Sequence, residues 1–125
     1  MSKKILIADD EVHIRRIIEN EVTKRGYTAI VAVDGEDAVA KARQEMPDLI
    51  IMDLMMPRMN GIEAIRILKK DQNMENIPVI ILTAVELGEN EEDIMTTGAV
   101  DVVTKPFSPK GLIELIILRL KEGEK

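Results

Sequence analysis

At 125 residues with a formal net charge of −6, the chain is the size of one domain and acidic enough to argue against nucleic acid as a direct partner. It has no cysteine, hence no disulfide framework, and no apolar run near the ~20 residues needed to span a bilayer, so no membrane association is expected. Met1-Ser2-Lys3-Lys4 leads straight into an apolar run with no room for a signal peptide, and a cytoplasmic location is expected.

Strand-like and helix-like segments alternate from the first residues to the last. A strand is predicted over 4–8, a helix over 12–25, a strand over 28–33 and a helix over 36–44. A strand over 49–52 precedes a helix over 62–70, a strand over 79–82 precedes a helix over 91–97, and a strand over 100–104 precedes a helix over 109–121. The strands are short, apolar and β-branched, which marks parallel strands buried on both faces. Gly26, the Asp34-Gly35 pair and Gly98 punctuate the segments. Alternation of this kind predicts an α/β fold: a doubly wound, five-stranded parallel sheet with five helices, a flavodoxin-like three-layer sandwich. Strand order 2-1-3-4-5 is expected, with a single domain over 1–125.

In that order the first strand lies beside the third, so Asp9 and Asp10 meet Asp53 at one rim. Ligands of open α/β sheets bind beyond the carboxyl ends of the strands. Carboxylates gathered there repel one another unless a cation joins them, and a hard, oxygen-seeking ion such as Mg2+ suits the donors, with Mn2+ also possible. Capping of the first helix by Asp9 and Asp10 is the simpler alternative. Two further strand ends add Thr83, followed by Ala84, and Lys105, followed by Pro106-Phe107. Each has a plain reading alone, as a strand-terminal turn residue and a solvated charge, but five such placements on one rim are poorly explained by chance.

Together these residues resemble the receiver domain of two-component response regulators, the CheY-like superfamily. The resemblance rests on Asp9-Asp10-Glu11, the Asp53-Leu54-Met55-Met56-Pro57 segment with Asn60-Gly61, Thr83-Ala84 and Lys105-Pro106-Phe107, and it spans essentially the whole chain. It implies that Asp53 accepts a phosphoryl group from a histidine kinase or histidine phosphotransfer protein. It also implies that Asp10, Asp53 and the Met55 backbone carbonyl bind the metal, with Asp9 acting through a water. Lys105 and Thr83 would then each hold a phosphoryl oxygen, and the Lys105–Pro106 peptide would be cis. The implied protein is a phosphorylated signalling switch, not an enzyme beyond assisting its own phosphorylation and slow dephosphorylation. Because the sequence stops after the last predicted helix, a stand-alone receiver is expected. A phosphorelay intermediate, which passes the group to another histidine, is the alternative. A module that binds partners without phosphate is opposed by the intact Asp10, Asp53, Thr83 and Lys105 set. A haloacid-dehalogenase-type enzyme is opposed by Met55, which stands where such enzymes carry a second Asp.

Val102 departs from the family's usual aromatic at that position, and Met55 and Val85 are apolar where other members carry polar side chains; a longer-lived phosphoryl group is expected. The methionines Met52, Met55, Met56 and Met59 read as packing, since thioethers suit only soft metals. His13 reads as a solvated or packing residue.

Two surfaces are expected to meet partners. On the first helix, Ile14, Ile17, Ile18 and Val22 cover an arc wider than a core face needs. The resemblance implies that the Ile14/Ile17 edge docks the kinase or phosphotransfer protein. On the last helix, Leu112, Ile113, Ile116, Ile117 and Leu120 form the core stripe, and Leu115 and Leu118 are expected to face water. The resemblance makes that fourth-helix, fifth-strand, fifth-helix face the surface for an output protein or for self-association.

Overall fold

A parallel strand covered by helices on both faces has no polar side, and strands form in this chain where apolar residues run unbroken. The computed structural model describes residues 2–84, 92, 94 and 96–123. Five strands, β1 (Lys4–Ala8), β2 (Thr28–Ala32), β3 (Leu49–Asp53), β4 (Val79–Thr83) and β5 (Asp101–Thr104), form one parallel sheet in the order β2-β1-β3-β4-β5. The inner strands β3 and β4 are buried at every residue, while the edge strands β2 and β5 are largely half-buried. Strand number, order and direction match the expectation, with ends differing by about a residue.

Four helices have bounds among the described residues, against five expected: α1 (Val12–Lys24), α2 (Gly35–Glu45), α3 (Gly61–Lys70) and α4 (Pro109–Gly123). The helix expected over 91–97 lies mostly outside the described residues, as does Val85. Within that stretch Ile94 is buried against the core.

Side-chain alternation along the strands splits the core into two layers. Leu6, Ala8, Ile50, Met52, Val79 and Ile81 pack with α2 and α3. Ile5, Ile7, Leu49, Ile51, Ile80 and Leu82 pack with Ile18 and Val22 of α1 and with Leu112, Ile113, Ile116 and Leu120 of α4. Each such aliphatic side chain removed from water contributes on the order of 1.5–3 kcal/mol. Met52 and Met56 are core residues and Met59 packs beside them, in keeping with the packing reading, whereas Met55 is exposed.

The expectation for Leu115 needs correction. It is half-buried and packs against the α1–α4 layer, while Leu118 does face water at 52% exposure. At about 100° per residue, Leu115 sits only about 60° from Leu112, on the margin of the stripe, and Leu118 about 120° away. On α1, Ile14 is half-buried against the same layer and Ile17 is exposed.

Candidate functional site

Parallel register sets the rim. Ala8 pairs with Met52, Asp53 with Leu82 and Thr83 with Thr104, so the residues that close or follow β1, β3, β4 and β5 end at one height. Backbone bonds extend the ladder past the strands: Asp9 N–H donates to the Ala32 carbonyl at 3.2 Å, and Lys105 N–H to the Thr83 carbonyl at 2.7 Å. Asp9, Asp53 and Thr83 are all buried. The Lys105–Pro106 peptide is cis, as expected.

The Lys105 ammonium lies 3.0 Å from Asp9 Oδ2, 3.1 Å from Glu11 Oε1 and 3.2 Å from Asp53 Oδ2. Burial alone would lower the pKa of this lysine; its contacts with Asp9 and Glu11 and the charges of Asp53 and Asp9 carry it above the ordinary value. Asp53 moves the other way from a free carboxyl, up to about 6. Burial is the main cause and the Asp9 charge adds to it; the Met55 N–H, 3.2 Å from Asp53 Oδ1, and Lys105 pull against both.

Asp9 Oδ1 accepts the Glu11 N–H at 2.9 Å, and its main-chain carbonyl accepts Arg15 Nη1 at 2.7 Å. The residue preceding α1 is Glu11, which makes no side-chain cap, so helix capping does not account for the acidic pair. Asp9 Oδ2 is fully buried and, despite its nearness to Lys105, takes part in no hydrogen bond of sound geometry. Carboxylate oxygens of Asp9, Asp10, Glu11 and Asp53 all lie within 4.8 Å of one another. An oxygen-only donor set of this kind fits a small, hard cation.

Of the residues singled out by sequence, Asp9, Asp10, Asp53 and Lys105 come together, and Thr83 closes the strand next to that of Asp53. Glu11 was part of the motif but had no role assigned, and its bond to Lys105 joins residues 94 positions apart. Its place directly after two acids was the available signal. His13 is exposed, with Nε2 3.6 Å from Glu11 Oε2, consistent with a solvated role. Val102 is half-buried against the α2–α3 layer.

The segment after β3 is held close to its neighbours. Gly61 N–H donates to the Leu54 carbonyl at 3.1 Å, and a Cβ on Gly61 would lie 2.3 Å from the Asp53 carbonyl oxygen, so no other residue fits without movement. Asn60 caps α3 by accepting the Glu63 N–H at 2.9 Å.

Residues 5–117 match the family described as "Response regulator receiver domain". The probable transcriptional regulator ycf27 of Cyanophora paradoxa is 44% identical over 124 residues, covering 98% of this chain and 50% of that protein. The chain spans about half the length of the curated relatives it matches. Among solved structures, the receiver domain of Francisella response regulator 1452 is 37% identical with a TM-score of 0.88, covering 98% of this chain and 99% of that one. The receiver domain of sensor histidine kinase PA1611 from Pseudomonas aeruginosa PAO1, solved with a magnesium ion coordinated in its active-site cleft, is 28% identical with a TM-score of 0.89 and covers 97% and 99%. With its rim of acids facing one lysine, this chain belongs to the response-regulator receiver family.

Proposed function

We propose that this receiver accepts a phosphoryl group on Asp53 and uses it to change which proteins it binds. The observation that carries the reading is the Asp53 carboxylate: buried, 3.2 Å from the Lys105 ammonium and clustered with further carboxylates. An Asp53 oxygen attacks the phosphorus of a phosphohistidine or small phosphodonor, the bond from phosphorus to the donor breaks, and an acyl phosphate forms. Asp10, Asp53 and the Met55 carbonyl would hold Mg2+ or Mn2+, with Asp9 helping through a water, a reading supported by the oxygen donor set here and by the magnesium in the PA1611 receiver. The cation's contribution is positive charge, which offsets repulsion between the two reacting anions. Lys105 transfers its contact from the carboxylates to a phosphoryl oxygen, and the Thr83 hydroxyl donates to another. The added group then biases conformations already accessible to the fold.

The kinase or phosphotransfer protein docks at the Ile14/Ile17 edge of α1, and an output protein or second copy meets the α4 face around Leu118. The expectation of a stand-alone receiver rests only on where the sequence stops, and relatives twice as long give it no support. The exclusion of nucleic acid is kept for these 125 residues alone.

Acetyl phosphate with Mg2+ should add one phosphoryl mass, labile to hydroxylamine, with EDTA preventing it. Asp53→Asn should abolish the adduct; an Asn variant phosphorylated at the wild-type rate rules out the assignment.

A further inference from the structure

The loop between β3 and α3 carries one assigned cation ligand, the Met55 carbonyl, yet an unusual contact fixes it from outside the site. Arg58 adopts φ 66°, a left-handed conformation that is strained for an L-residue with a Cβ and persists only where surroundings impose it. Its Nη1 donates to Asp34 Oδ2 at 2.5 Å. The Arg58 side chain is 66% exposed, but that of Asp34 is only 6% exposed. Asp34 is held from behind: its Oδ1 accepts the Asp37 N–H at 2.8 Å and caps α2. Asp37 in turn accepts the Val33 N–H at 3.1 Å and pairs with Lys41, whose ammonium donates to the Val31 carbonyl at 2.6 Å. The carboxylate receiving Arg58 is thus bolted to both the end of β2 and the start of α2.

A second contact lies next to the first. A Cβ on Gly35 would lie 2.0 Å from the Met59 carbonyl oxygen, so the start of α2 and the loop touch backbone to backbone. Neither contact involves the acidic cluster. Together they grip residues 58 and 59, while Leu54 and Gly61 bond across the base of the same loop. Met55, between these anchors, donates its N–H to Asp53.

We propose that Arg58 and Asp34 are positioning residues that set the cation affinity of the site by fixing the β3–α3 loop, and with it the Met55 carbonyl. This rests on the cation site described under the proposed function. A ligand on a loop held in its binding geometry loses less freedom when the ion arrives, so releasing the loop weakens binding without removing a donor. The ion pair is largely solvated on the arginine side and contributes little to global stability, so its effect falls on the loop rather than on the fold.

Isothermal titration of Mg2+ into the unphosphorylated protein tests this, alongside thermal unfolding in EDTA. Arg58→Ala removes the guanidinium and keeps a Cβ in the left-handed conformation; Arg58→Gly removes both. Asp34→Asn keeps an α2 cap while discharging the partner. Each should weaken Mg2+ binding roughly fivefold to tenfold, at the weak end for groups that orient ligands, with nearly unchanged melting temperature. The Asp34→Asn/Arg58→Ala double variant should lose no more than either single one. With acetyl phosphate, the Mg2+ concentration giving half-maximal rate should rise more than the saturated rate falls. Wild-type Mg2+ affinity in all three single variants, or additive losses in the double, overturns the proposal and leaves the cation site standing. No Mg2+ binding by the wild-type protein overturns both.

Discussion

Lys105 Nζ lies 3.2 Å from Asp53 Oδ2, a contact between residues 52 positions apart that two separate strand ends bring together. The same ammonium faces Asp9 and Glu11, so one positive charge answers three negative ones. That imbalance is one that a bound cation would offset.

Replacing Lys105 with Met should expose the imbalance. Three close carboxylates would lose their common counter-charge, and unfolding in EDTA at low salt should show a loss of about 1–3 kcal/mol, less than for a fully buried pair because Glu11 is partly solvated. Millimolar Mg2+ should restore part of it by mass action. Equal melting temperatures for variant and wild type in EDTA would mean the carboxylates do not depend on this lysine.

The raised Asp53 pKa gives a pH dependence of definite sign. Between about 4 and about 6 the folded protein holds a proton on Asp53 that the unfolded chain has released, so stability falls as pH rises through that window. In EDTA the wild-type protein should therefore gain stability from this group on acidification from pH 7 to 5, superimposed on the titration of its other carboxyls. Asp53→Asn should remove that component. The difference between the two melting curves, plotted against pH, is the quantity to measure. A flat difference is incompatible with the raised value.

Gly61→Ala inserts a methyl group 2.3 Å from the Asp53 carbonyl oxygen. Because the obstacle is backbone, the strand end or the loop must shift, at a cost of about 1–3 kcal/mol. Phosphorylation by acetyl phosphate should slow as well, since the displaced atoms belong to the proposed acceptor residue. Chemical denaturation with parallel rate measurements checks both, and a variant normal in each would show the approach to be relieved at no cost.

Leu118→Glu and Leu115→Glu should separate surface from core on one helix. The exposed Leu118 should tolerate the change within about 0.5 kcal/mol, and Leu115, packed against the α1–α4 layer, should not. If Leu118 belongs to an interface, its Glu variant weakens self-association or target capture while melting normally. Analytical ultracentrifugation with and without phosphorylation reads this out. Unfolding caused by Leu118→Glu would assign that side chain to the core.

Much of the fold was legible because parallel strands advertise themselves as unbroken apolar runs, and Ile5–Ala8 and Leu49–Met52 stop at acids that have no place in a core. The shared rim followed from strand order, since a ligand rim is where such strands end, whereas the roles of its residues rest on the family resemblance. Contacts decided by side-chain reach were not legible. Nothing in Glu11 announces a lysine 94 residues on, and an arginine at position 58 gives no sign of a left-handed backbone, which Gly or Asn would have suggested. Leu115 misled because a residue on the margin of a helical stripe is buried or exposed according to how the helix is rolled, and pattern does not specify roll.

The register of the sheet makes the geometry of this site discontinuous. Strand pairing changes register only by whole residues of ~3.3 Å, and a single step turns every core side chain to the wrong face. With Ala8 opposite Met52 and Asp53 opposite Leu82, the register of Asp53 against its neighbouring acids is fixed in the same all-or-none way. Substitutions among the buried aliphatics therefore leave this register in place for as long as the sheet forms. Tuning, whether by selection or by engineering, is left to the loops that stand above the strand ends.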